Sequence, residues 1–133
     1  MSDKVKLTPV EWEIMEAIWE LGGSPSVREV MDLAFPNNEK AYTTIQTIIK
    51  TLEKKGMLTS QKIGLVNFYQ PRRSREEMVD SEMSHLVSRV FHGSVPAMAN
   101  HLLRSDSLTL EEIEAMKAFL AEKEAELLKR KKP

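Results

Sequence analysis

The sequence predicts a mainly α-helical fold with one small β-hairpin. An N-terminal domain carries the hairpin, and a second domain is helical throughout. Three observations lead there. Capping signatures (Ser or Thr with Glu three residues on) stand at residues 8–11, 26–29, 74–77 and 109–112, each at the head of an apolar-periodic run. Two short strand-like runs meet at Gly64-Leu65. No strand pattern follows Pro71.

Taken in order, Thr8-Pro9-Val10-Glu11 places proline at the first helical position and opens a helix to about Leu21. That helix is expected to bury Trp12, Met15, Ile18 and Trp19, and Gly22-Gly23 ends it. Ser26-Val27-Arg28-Glu29 starts a short helix to about Ala34, broken by Phe35-Pro36-Asn37-Asn38. A long third helix follows, from Ala41 to Lys55, with Gly56 where a left-handed cap is expected. Met57–Ile63 and Val66–Pro71 then read as the two strands of the hairpin. Helix, helix, helix and hairpin in this order is the layout of a winged helix-turn-helix domain, assigned to residues 1–73, in which the third helix is expected to enter the major groove and the hairpin wing to touch the backbone or minor groove.

The second half contains helical patterns only. Ser74-Arg75-Glu76-Glu77 opens a helix to about His92, with Gly93 as the stop. Ser94-Val95-Pro96 starts a short helix to about Leu103, and Thr109-Leu110-Glu111-Glu112 caps a last one through about Leu128. Val79, Met83, Leu86, Val90, Ile113, Met116, Leu120 and Leu127 fall at helical spacing. Three such helices leave apolar surface open, and a second copy of the chain is the economical cover. Residues 74–128 are therefore read as a three-helix dimerisation domain, and the basic residues 129–133 as a frayed, solvated tail.

Composition narrows the function. Net charge is only −1, but its distribution is uneven. Residues 40–75 hold eight Lys and Arg against the single acid Glu53, whereas residues 76–133 hold eight basic and eleven acidic residues. A basic segment of this kind is an electrostatic footprint for a polyanion. Within it, the third helix turns Ile45, Ile48, Ile49 and Leu52 to one side and Lys40, Thr43, Thr47, Lys50 and Lys54 to the other. No carboxylate lies on the second side. That front suits a major groove, where lysines meet phosphates and short side chains reach base edges. Lys62 near the hairpin and Arg72 after it extend the phosphate track.

Other classes find little support. The chain has no cysteine, which excludes disulfides, thiolate metal sites and cysteine nucleophiles. His85, His92 and His101 lack any metal-ligand spacing, and Gly22-Gly23-Ser24-Pro25-Ser26 lacks the lysine of a phosphate loop. No catalytic arrangement is visible, so neither an enzyme nor a cofactor is expected. There is no membrane-length apolar run and no signal-peptide pattern, so no membrane insertion is expected and a cytoplasmic location is the default. A winged-helix protein–protein adaptor without sequence-specific DNA binding is the alternative that stays open.

LTPVEWEIMEAIW, YTTIQTIIKTLEKKG and DSLTLEEIEAMKAFL together resemble the BlaI/MecI penicillinase-repressor family over about residues 7 to 120. The resemblance implies a homodimeric winged-helix repressor that occupies a palindromic double-stranded DNA operator with TACA/TGTA-like half-sites. It assigns Thr43, Thr44, Gln46, Thr47 and Lys50 to the DNA-facing helix positions, of which Thr43, Thr47 and Lys50 are also chosen by the helical wheel. Known members often carry a longer basic side chain where Thr43 or Gln46 stands here. In antibiotic-responsive members a sensor-linked protease leads to cleavage after an Asn in the dimerisation domain. The matching pair here is Asn100-His101, with histidine in place of a bulky apolar residue. The residues themselves read first as a polar patch on a short helix, with the cleavage site as the second reading. Copper-responsive relatives use clustered C-terminal cysteines, which this chain lacks.

Overall fold

The computed structural model describes residues 5–131. Its elements run α1 (Pro9–Leu21), α2 (Val27–Ala34), α3 (Tyr42–Lys54), β1 (Leu58–Ile63), β2 (Val66–Pro71), α4 (Arg75–Val90), α5 (Val95–Leu103) and α6 (Leu110–Lys131). Local chemistry accounts for most of the boundaries. Thr8 and Ser26 both close full capping boxes, each accepting from the N–H three residues on while Glu11 and Glu29 reach back to the cap N–H. At the end of α3, Gly56 takes φ 82. Its N–H donates to Glu53 and that of Met57 to Leu52, a Schellman closure that turns the chain straight into β1.

The chain divides into two compact units, Met1–Leu86 and Val87–Pro133. In the first, α1, α2, α3 and the hairpin enclose a core built on Ile14, Met15, Ile18, Val30, Ile45, Ile49, Leu52, Met57, Leu58 and Tyr69. The strands pair antiparallel from Leu58↔Pro71 to Ile63↔Val66. A bridge between Ser26 and Phe68, with the Tyr69 N–H donating to the Pro25 carbonyl, adds the start of α2 to the hairpin edge. Trp12 and Trp19 are half-buried rather than buried. They pack edge to face at 5.8 Å, and the Trp19 indole N–H donates to the Arg73 carbonyl at 2.9 Å. Ile14 and Ala17 take the buried places beside Met15 and Ile18.

The units part inside α4, later than the 73/74 change of character read from sequence. The reason is Met78, which is fully buried in the first core, together with Arg75, whose guanidinium grips both carboxylate oxygens of Glu16 at 2.7 and 3.2 Å. The second unit holds the last turn of α4, then α5 and α6. Neither α5 nor α6 buries a single residue. The tail expected at 129–133 is helical as far as it is described: Lys129, Arg130 and Lys131 form the last turn of α6. Positive charge there complements the helix dipole, and Arg130 pairs with Glu126 one turn back at 2.7 Å. Residues 132 and 133 lie outside the described part.

Candidate nucleic-acid interface

The third helix is amphipathic in the sense its sequence implies. Ile45, Ile49 and Leu52 are fully buried and Ile48 is half-buried, which fixes the rotation of α3 about its axis. With that rotation set, Thr43, Thr44, Thr47, Lys50 and Lys54 are all exposed, and Gln46 is half-buried on the flank. Thr47 Oγ1 donates to the Thr43 carbonyl at 2.9 Å, and Thr51 Oγ1 to the Thr47 carbonyl at 3.1 Å. These hydroxyl protons are engaged within the helix, so each hydroxyl presents lone pairs outward as an acceptor.

The head of α3 differs from those of α1 and α2. Its cap residue is Ala41, and no side chain caps it. Its first N–H groups therefore keep their capacity for an acceptor, and the helix dipole favours an anion there. Two residues overlooked in the sequence flank this end. Tyr42 opens α3 and is exposed, and the Arg28 guanidinium of α2 lies 5.2 Å from its ring centroid. Their meeting depends on the packing of α2 on α3, so no sequence spacing announces it.

Lys40 stands outside α3, which starts at Tyr42, and its ammonium sits over the Phe35 ring at 5.8 Å. It belongs to the turn between the two helices and not to the helix front. Lys62 on β1 and Arg72 after β2 are exposed. Two of the eight cations in the basic segment face elsewhere. Lys55 Nζ pairs with Glu11 Oε1 at 2.7 Å and also donates to the Lys6 carbonyl, and Arg75 pairs with Glu16. These two hold the fold. Lys40, Lys50, Lys54, Lys62, Arg72 and Arg73 remain for the surface field.

Glu11 is the buried charged residue among the described residues of the first unit. Burial by itself would raise its pKa, but hydrogen bonds from Lys55 and the Thr8 N–H, with the Lys55 charge, outweigh that and hold it below the usual carboxylate range.

The residues proposed for dimerisation are spread over both units. Val79 and Leu86 are half-buried and Met83 exposed on the part of α4 in the first unit. Val90 is exposed at the end of α4, Ile113 and Met116 are half-buried on α6, and Leu120 is 70% exposed. Phe119, absent from that set, is 67% exposed beside it. Asn100 and His101 are both exposed on α5, with the His101 ring 6.0 Å from that of Phe91.

A helix-turn-helix pair, a hairpin wing and a carboxylate-free front on the second helix of the pair define a winged-helix, DNA-binding transcriptional regulator. The chain belongs to the penicillinase repressor family, whose model matches residues 7–122. It is 28% identical over 117 residues to the penicillinase repressor of Bacillus licheniformis, covering 88% of this chain and 91% of that protein. It is 26% identical over 126 residues to the transcriptional regulator BlaI of Mycobacterium tuberculosis, covering 94% and 90%. Among solved structures it is similar to a MarR family protein from Bacillus stearothermophilus, with TM-score 0.47, 18% identity, and 93% of this chain and 77% of that one covered. The family is one of transcriptional repressors and not of enzymes. Among the described residues, no helix is long and apolar enough to cross a membrane.

Proposed function

We propose that the chain acts in the cytoplasm as a homodimeric repressor that occupies a two-fold symmetric operator through α3 and the hairpin wing and blocks transcription by occlusion. The observation that carries this reading is the α3 front. Thr43, Thr44, Thr47, Lys50 and Lys54 lie exposed on the side opposite the buried Ile45, Ile49 and Leu52. Thr43, Thr44, Gln46 and Thr47 supply sequence discrimination at base edges. Lys40, Lys50, Lys54, Lys62 and Arg72 supply phosphate contacts, joined by Arg28, Tyr42 and the open N–H groups at the head of α3. Two copies set their α3 helices about 34 Å apart, one turn of DNA.

The dimer contact comes from the exposed apolar side chains of the second unit with those of α4. Its loss releases the DNA, because one half-site alone binds far more weakly. Cleavage at Asn100-His101 by a sensor-linked protease is one route to that loss. The exposure of both residues supports it, while their helical backbone has to unwind before a protease can act. An Asn100→Ala chain should then persist intact, by mass spectrometry of cell extracts, under a signal that shortens the parent. Identical fragments from both chains would remove this route.

The decisive experiment is selection of genomic DNA fragments by the purified protein at physiological salt, where exposed charges are screened within about 8 Å. Enrichment of a two-fold symmetric site is the expected result, with affinity falling steeply as salt rises. Weak retention without sequence preference would transfer the assignment to a protein–protein adaptor.

A further inference from the structure

The tip of the hairpin carries an apolar surface that the α3 contacts leave unused. Leu65 is 93% exposed, Ile63 61% and Val66 46%. Ile63 and Val66 are register partners, and the two-residue turn Gly64-Leu65 carries Leu65 out beyond them. The turn accounts for Gly64, which takes φ 65 at the first position of a tight hairpin. It does not account for leucine at the second, where a polar residue serves as well.

The surroundings indicate what meets this tip. From Lys54 through Arg75 there are six Lys and Arg and no carboxylate, and the preceding Glu53 accepts from the Ser60 hydroxyl of β1 at 2.6 Å. Lys55 and Arg75 turn back to α1, leaving Lys62 next to Ile63 near the tip and Lys54, Arg72 and Arg73 at the base of the hairpin, where Leu58 pairs with Pro71. Such a field favours a polyanion over an ordinary protein surface. Size argues the same way, since stable protein interfaces bury about 1,200–2,000 Å² and three side chains on one turn offer only a small part of that. A small apolar tip suits a partner already held by the neighbouring face, and β1 begins directly after the cap of α3. Leucine and isoleucine are among the side chains that wedge into the minor groove and unstack base steps.

We propose that Leu65, flanked by Ile63 and Val66, is an apolar wedge that enters the minor groove beside the half-site facing α3 and senses how easily the base steps there deform. This rests on the operator-binding reading above. Two properties follow. The contact releases no counterion, so it leaves the salt slope of binding unaltered. It favours flexible pyrimidine–purine steps over stiff A-tracts at the flank.

The test uses the full-length protein with Leu65→Ser, Leu65→Met and Lys62→Ala. Binding is measured by fluorescence anisotropy over a range of salt on duplexes that carry the selected site, flanked by TA steps or by an A-tract. Leu65 lies outside the core, so thermal melting should be unchanged by its substitution. Leu65→Ser should weaken binding to the TA-flanked duplex about ten-fold, abolish the preference between flanks and keep the parent's salt slope. Leu65→Met should restore most of the affinity and the preference. Lys62→Ala should reduce the salt slope by about one without changing the flank preference. A Leu65→Ser protein that binds both duplexes like a site-selective parent overturns the wedge and leaves the operator reading standing. A parent without any site selection overturns both.

Discussion

Thr47 sits at the middle of the exposed front of α3, with its hydroxyl proton given to the Thr43 carbonyl. It can therefore accept from an exposed base donor and lay its methyl against a thymine methyl. Thr47→Ala should cost about 1–3 kcal/mol on the best site and relax specificity there, whereas Lys54→Ala should weaken all sequences about equally and lower the salt slope by about one. Titration of both variants against the selected site and a scrambled duplex checks this division of labour. An unchanged preference with Thr47→Ala would move the reading face elsewhere on α3. The exposure of Thr43, Thr47 and Lys50 is legible from a 100° wheel because helix rotation follows from the apolar stripe alone. Lys55 was not legible. Its partner, Glu11, is 44 residues away, and a flexible lysine can turn either to solvent or to the core.

That same pair ties two elements together. Glu11 belongs to the capping box of α1, and Lys55 is the C-cap of α3, so their bond anchors the end of α3 to the head of α1. Lys55→Met leaves a buried carboxylate without its cation and should cost about 1.5–3 kcal/mol, the range for a hydrogen bond to a charged group. Glu11→Gln, which removes the charge and keeps the shape, should cost less. The sign of the pH dependence follows from the lowered pKa of Glu11. Its stabilising contribution is fully present above the unfolded carboxylate value and is lost as pH falls through the folded one. Denaturant melts of the parent and Glu11→Gln between neutral and acid pH should therefore converge at the acid end. A constant difference across the range would show that Glu11 acts by packing alone. Capping boxes, the Gly56 stop and the hairpin were readable because each lies within a few residues of sequence. The Ser26–Phe68 bridge was not, since it joins segments 42 residues apart whose pairing only the packed core brings together.

Across the chain, the two units differ in how they bury apolar surface. The first closes a core of its own, while α5 and α6 expose Leu102, Leu103, Phe119, Leu120, Leu127 and Leu128. Exposed apolar patches of this extent mark interaction surfaces. Leu120→Glu should yield a folded monomer by sedimentation, with an unchanged first unit and much weaker operator binding through loss of the second half-site. A dimer of unaltered strength would place the contact on other residues.

Helix identity, the hairpin and the apolar and polar sides of α3 follow from short-range chemistry, because caps, turns and amphipathic periods are complete within one element. The sequence also carries the family likeness, which spans residues 7–122. Tertiary packing settled which cations belong to the surface field, by drawing Lys55 and Arg75 into pairs with α1. It also drew the start of α4 into the first unit, by burying Met78 in its core. Those outcomes depend on long side chains meeting partners that are distant in sequence, and local periodicity holds no record of such meetings.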